Sequence, residues 1–474
     1  ADGGQAFVNR IVTLGVVVFF VATGIATLCA PLLVDLYTLD GSSPDSALGG
    51  GRALAIAFAY WCLPQIFFYA IYSLLGEVLN ARGVFGPFTW APALNNVVRI
   101  ITLLIFAALF QVDPAHQDPA SWTPPQVALL AGGTTLGIVA QALILLVFWR
   151  RTGLGFRPDF RWRGVGLGDT VTAAGWTFAM IVVVQLAGIV QSKVAFTAGA
   201  EDASVAVLTI AWLIFMLPHS IIAVSIATPY FTRMSGHARD GDLAAVRADL
   251  SASMRTIGML VTGSAAALAA AALPFAAVFS NAPREVVGIG LVLLSFLVGL
   301  VPFSMVFLMQ RAYYALGDTR TPFLFQLVQS VLFVAGALTV AVLAPGPYVA
   351  AGIALVTSLA GTAQAVVAAV LLRRRLGGVG GRTVATRFGA YLLATVPAAA
   401  AGVGILYLLG GLPGDGGGFA VSDTVSGAIS VILIGAVTVA VYLGALALAR
   451  VSEVREIGAL VRRLTGRGAG TTDA

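Results

Sequence analysis

The sequence predicts an all-α polytopic membrane protein with twelve transmembrane helices. Three observations carry that prediction. Apolar residues make up 59% of the 474-residue chain and charged residues only 10%, against about 25% charged in a soluble domain. The apolar runs are long and continuous, which suits helices of about 20 residues and not the short alternating strands of a barrel. The basic residues fall in short loops on alternate sides of those runs, the pattern that orients multi-span proteins. The formal charge of +6 therefore speaks to orientation, and no nucleic-acid partner is expected.

Taken in order, the runs cover residues 11–34, 53–79, 87–110, 125–149, 170–196, 203–231, 256–279, 286–310, 322–343, 348–372, 388–409 and 424–449. The uncharged stretch 321–372 divides at Pro345-Gly346-Pro347, a turn signal. One side of the membrane would hold the N-terminus, the loops after even-numbered spans and the C-terminus, with most of the 27 basic residues. The other side has Arg52, Lys193 and Arg284 beside acids such as Asp40, Asp113, Glu201 and Asp415. Cys29 and Cys62 lie inside apolar runs and read as small hydrophobes, not as a disulfide or a metal site. Two segments outside the spans are amphipathic. Residues 242–255 set Leu243, Val246, Leu250 and Met254 at helical spacing among charges, and residues 451–464 do the same with Val454, Ile457, Val461 and Leu464. Both read as interfacial helices on anionic lipid; the second also fits a solvated linker.

The chain is internally duplicated. Residues 63–96 read LPQIFFYAIYSLLGEVLNARGVFGPFTWAPALNN, and a degenerate copy returns as residues 301–330. There Thr321-Pro322-Phe323 answers Gly86-Pro87-Phe88, and Pro302 answers Pro64. Arg10-Ile11-Val12 with Ala30-Pro31-Leu32 likewise resembles Arg255-Thr256-Ile257 with Leu273-Pro274-Phe275. Spans one to four thus match spans seven to ten. An offset of six helices makes the repeat parallel, and spans five and six are left without partners. Two further helices are therefore expected upstream, giving fourteen in the intact protein: two six-helix lobes and a C-terminal pair. The expected divisions are 1–167, 168–383, 384–449 and a tail, 450–474.

No catalytic constellation is present: His116, His219 and His237 are scattered, and the glycine-rich runs 377–381 and 414–418 lack the strand of a phosphate-binding loop. Ionisable and amide groups inside spans are the candidates instead, because an arginine at mid-bilayer costs about 2.5–3.5 kcal/mol on insertion scales and normally faces protein or water. Arg99 stands one turn beyond Asn95 and Asn96. Together they make either a cationic, amide-rich wall for an anionic ligand or a set of interhelical ties. Glu77 is a coupling candidate, or an interfacial carboxylate near Arg82. His219 follows the mid-span Pro218, where a kink would let the imidazole face a cavity or bond within the bundle. Gln65, Gln185 and Gln191 are weaker candidates of the same kind. Asp318, Arg320 and Thr321-Pro322 read as a helix start.

The motifs LPQIFF, LNARG, FGPF and WAPALNN, with ALGDTRTP at 315–322 and LPHSIIAVSIATP at 217–229, resemble the MurJ/MviN lipid II flippases in their actinobacterial form. The resemblance implies fourteen spans around a central cavity, and export of the undecaprenyl-linked peptidoglycan precursor across the bacterial plasma membrane with both chain ends cytoplasmic. It implies alternating access driven by an ion gradient or membrane potential, without a cofactor. Lipid II, membrane lipids and cell-wall synthesis proteins are the implied partners. The family's cavity arginines lie chiefly in the two helices expected upstream, and residues 211–216 carry no cation where a further one is expected. Two rivals stand beside this: a multidrug or polysaccharide-precursor exporter of the same superfamily, and a non-transporting cell-wall scaffold.

Overall fold

The structure is a computed structural model that describes residues 4–37, 49–84, 86–110, 121–149, 151, 153, 155–161, 168–197, 204–378, 381–411 and 418–454. Among them there are helices and no strand. The acids Asp40, Asp113, Glu201 and Asp415 lie outside the described residues, as does the amphipathic segment beyond Val454.

The chain divides into two compact units, Ala1–Asp169 and Thr170–Ala474. The first contains α1 (Gln5–Leu28), α2 (Ala30–Tyr37), α3 (Gly49–Cys62), α4 (Gln65–Ala81), α5 (Gly86–Phe110) and α6 (Pro124–Trp149), with α7 (Gly168–Phe196) beginning at its boundary. The second continues with α8 (Ser204–Pro218), a π-helical turn at His219–Val224, α9 (Ser225–Arg239), α10 (Leu243–Ala270), α11 (Ala272–Ala277), α12 (Pro283–Leu297), α13 (Leu300–Ala315), α14 (Arg320–Leu343) and α15 (Val349–Leu376). The final pair is α16 (Gly381–Leu408) and α17 (Thr424–Leu448). Among the described residues ten helical stretches are long and apolar enough to cross a bilayer, and α12 with α13, bent by 46°, makes an eleventh if the pair is one span. The remaining expected span, 256–279, is the later part of α10 running into α11.

Four spans expected to be continuous are broken, and the breaks repeat. Pro31 and Pro274 lack the amide proton that would pair with the carbonyl four residues back. The helices stop just before them, at Cys29 (φ −86°, ψ 12°) and Ala271 (φ −98°, ψ 11°). A second break separates α3 from α4 at Leu63-Pro64, and α12 from α13 at Val298-Gly299. Pro64 is 235 residues before Gly299, the same offset that relates Pro87 to Pro322. The counterpart of Pro64 is therefore Gly299, not Pro302: one copy breaks its helix by removing a donor, the other by removing a side chain.

Each break frees a backbone carbonyl, and a buried orphan would be costly. Thr135 Oγ1 on α6 donates to the carbonyl of Trp61 at 2.8 Å. Ser358 Oγ on α15 donates to that of Phe296 at 3.0 Å. Trp61 and Phe296 are related by the same offset, and Thr135 and Ser358 each stand six residues before the glutamine of an Ala-Gln-Ala triplet, Gln141 and Gln364. The two halves thus share the repair as well as the defect.

The C-terminal pair packs on α10 within the second unit. An added Cβ at Gly258 would sit 2.3 Å from the Phe388 ring, and one at Gly263 2.6 Å from that of Tyr442. These two glycines are notches that admit aromatic rings from α16 and α17. The Tyr442 hydroxyl then donates to the Met259 carbonyl at 2.9 Å.

The expected interfacial helix 242–255 is corrected by the structure. It is the first half of α10, and apart from the exposed Leu243 its apolar stripe faces protein: Val246 and Leu250 are fully buried and Met254 nearly so, where α10 packs on α9 and α13. An amphipathic pattern states only that one face leaves water; here the neighbouring helices take it.

Candidate functional site

In the first unit, the polar residues inside spans gather on α4, α5 and α6. Pro92 inside α5 leaves the Phe88 carbonyl without its helical donor, and the Tyr72 hydroxyl of α4 donates to it at 2.8 Å. The Tyr72 and Phe88 rings stack at 4.9 Å. Gly76 makes this possible, since a Cβ there would overlap the Phe88 ring.

Asn95 is 6% exposed and lies in the α5–α6 seam. Its Oδ1 sits over Gly137, 2.5 Å from where a Cβ would be, and accepts no hydrogen bond. Gly133, one turn earlier, makes the same room for Thr102. This small-x-x-x-small face brings the helices close, and Asn95 belongs to it. Arg99, one turn further along α5, carries its charge within electrostatic reach of Cys62, where α3 ends. Its Nε is buried without a partner. Gln65, the first residue after the α3–α4 break, is bonded to Thr135 at 2.7 Å. Asn96 and Glu77 are exposed on their helices, and no ion pair among the described residues includes Glu77.

In the second unit, His219 opens the π-helical turn after Pro218 and is 4% exposed. Its Nδ1 lies 3.1 Å from Ser304 Oγ on α13, and its ring packs edge-on to Phe303 and Phe307 at 4.6 and 5.2 Å. Of the two sequence readings, this is bonding within the bundle. Gln185 is exposed on α7 and Gln191 half-buried. Asp318 accepts from the Thr321 amide at 3.0 Å and its hydroxyl at 2.8 Å, which starts α14.

Sequence reasoning missed three polar assemblies. Gln364 donates to Gln326 at 2.9 Å, and Gln326 to Gln329 at 2.8 Å, an amide chain across the α14–α15 seam. The repeated Ala-Gln-Ala triplet was the available signal. In the first unit, the segment 155–161 lies along the start of α1 as a strap. Gln5 Nε2 donates to Gly155 O at 2.8 Å, the Arg157 amide to Asn9 Oδ1 at 3.3 Å, and the Asp159 amide to Thr13 Oγ1 at 3.0 Å. Steps of four along a helix advance about 6.0 Å and steps of two along extended chain about 6.7 Å, so the two ladders keep register. Asp159 then pairs with Arg10 and Arg161, each at 3.1 Å, and the Arg161 contacts, followed by Arg10, hold its carboxyl well below the usual range. In the second unit, Arg255, the repeat counterpart of Arg10, is held 2.8 Å from Glu453, with Arg387 at 3.8 Å. Among the described residues no cluster suits a metal ion.

A family model described as "Lipid II flippase MurJ" matches residues 1–415. The chain belongs to the MurJ family. It is 26% identical over 275 residues to the probable lipid II flippase MurJ of Haemophilus influenzae, covering 55% of this chain and 50% of that protein. With the Vibrio cholerae relative it shares 24% identity over 324 residues, 61% of this chain and 57% of the other. It thus spans about half the length of these curated MurJ relatives. A solved structure of "Lipid II flippase MurJ, inward closed conformation" superposes with a TM-score of 0.66 at 15% identity, covering 93% of this chain and 84% of that one. An inward-facing MATE-family multidrug transporter of the MOP superfamily gives 0.62 at 18% identity, covering 78% and 81%. At such identities the likeness is one of fold, shared by MurJ and MATE proteins alike.

Proposed function

We propose that this MurJ-family chain is part of a lipid II flippase, moving the undecaprenyl-linked peptidoglycan precursor from the inner to the outer leaflet of a bacterial plasma membrane by alternating access. The family match over residues 1–415 carries the reading. Physical chemistry supports it: a bulky anionic headgroup needs cationic and amide donors inside the spans, while the lipid tail can stay among apolar helices. Arg99, with a buried unpartnered Nε beside a broken span, is the residue best suited to that work. Gln65 braces the break next to it, and Asn95 serves helix packing. A drug exporter of the same fold would favour acidic groups at such a position. We place the arginine-rich side, with the strap and Glu453, in the cytoplasm, and assign the driving force to an ion gradient or membrane potential, with Glu77 as the coupling candidate.

The test is depletion of the host flippase with the full-length protein supplied in its place, reading lipid II reaching the outer leaflet. Wild-type protein should restore it. Arg99→Gln should lower the rate about tenfold or more, the scale of a lost charge-assisted hydrogen bond. Full activity of Arg99→Gln would assign Arg99 to structure, and no rescue by membrane-inserted wild type would reject the function.

A further inference from the structure

We propose that the strap on α1 is a binding site for the phosphodiester headgroup of an anionic phospholipid in the leaflet on the arginine-rich side. The strap and the start of α1 enclose an open cleft of about 540 Å³, lined by Gln5, Asn9, Arg157, Asp159, Phe160 and Arg161 among others. Asn9 is 7% exposed. Its Oδ1 is taken by the Arg157 amide, while its Nδ2 has no partner among the described residues. Asn9 lines the cleft, and an amide donor on a cleft wall can serve an acceptor that enters it.

The charge of the cleft says which kind. Asp159 is shared by Arg10 and Arg161, so three arginines, with Arg157, stand against one carboxylate and the cleft keeps a net positive charge; the Arg161 side chain is 84% exposed. The Gln5 amide is already committed to Gly155, and Arg161 gives its Nε and one Nη2 proton to Asp159, which leaves Asn9 Nδ2, the Arg157 guanidinium and the remaining N–H groups of Arg161 as donors. That set suits a phosphate oxygen group. The aromatic residues say where the phosphate comes from. Phe156 and Phe160 flank the arginines and are 43% and 61% exposed. A free phosphate has no use for them, whereas a phospholipid puts glycerol and acyl carbons beside its phosphate. Alternating aromatic and basic residues at the end of an apolar span match that boundary. The hydrogen-bonded ladder to α1 fixes their spacing in advance, so binding does not have to order the segment.

The experiment is calorimetric titration of the full-length protein in neutral maltoside detergent with dihexanoyl phosphatidylglycerol, dihexanoyl phosphatidylcholine or inorganic phosphate. Saturable binding of the phosphatidylglycerol, at least about tenfold tighter than of the zwitterionic lipid, is expected. Arg157→Gln with Arg161→Gln should weaken it about 25-fold, from about fivefold per basic residue. Both heads are exposed, so folding should be unaffected. Asn9→Asp keeps the acceptor for the Arg157 amide but removes the donor, and should also abolish binding. Arg239→Gln, an exposed arginine in the second unit, should leave it unchanged. Equal binding by wild type and the double arginine variant would overturn the site. Inorganic phosphate binding as tightly as phosphatidylglycerol would overturn its assignment to lipid.

Discussion

Glu453 shows how much one side chain can hold at the edge of the spans. The chain leaves α17 through Arg450, the one non-glycine positive φ (55°) among the described residues, and so plants Val451 and Glu453 back against the bundle. Burial, the largest influence, pushes the Glu453 carboxyl up; its own amide, the Ser452 hydroxyl, Arg387 and Arg255 together outweigh it and hold it below the ordinary range. A carboxyl depressed in the folded state contributes stability above its unfolded value and loses it as pH falls through the folded one. Glu453→Gln should therefore cost about 1–3 kcal/mol at pH 7, discounted from a fully buried pair because both arginines are partly exposed. Thermal unfolding should show the two proteins converging below about pH 4. At the α5–α6 seam, Gly137→Ala would place a methyl 2.5 Å from Asn95 Oδ1. A loss of about 1–3 kcal/mol is expected, partly regained in the double variant with Asn95→Ala. No recovery of the melting temperature would argue that Asn95 does not pack there.

At the scale of elements, the hydroxyls that close the two breaks should be worth similar amounts. Thr135→Ala and Ser358→Ala each strand a carbonyl inside a span, at about 1–3 kcal/mol apiece, measurable as a fall in melting temperature; a neutral result at either position would mean that the freed carbonyl finds another donor. The helices themselves were legible, because uncharged runs of span length have few alternatives. Their interruptions were only half legible. Pro64 marked its break, but Gly299 carried no signal beyond the register of the repeat. Asp242–Arg255 failed for a different reason: its apolar stripe satisfied the pattern for a lipid surface and for a protein core equally, and only the neighbours decided.

For the whole molecule, orientation is the most direct claim to test. In a Cys29→Ser, Cys62→Ser background, Arg161→Cys and Arg239→Cys should react with a membrane-impermeant maleimide only in inside-out vesicles. Arg284→Cys should react from outside intact cells; the reverse labelling would invert the proposed topology. Family and fold were readable because they rest on long motifs and on composition. The candidate site was readable only as a set of residue types: Arg99 and Asn95 sit on one helix face, yet one keeps a buried Nε without a partner and the other lies over a glycine seam. No spacing rule separates those fates, since both depend on which residue of a partner helix is small.

The shared defects also record an order of events. Helices interrupted at matching positions in both copies, each mended by a hydroxyl from the matching helix, are most simply inherited from a single ancestor that already carried the interruption and its remedy. Proline in one copy and glycine in the other then mark later drift around a feature that was kept. The break came before the duplication, so it served the smaller ancestor first.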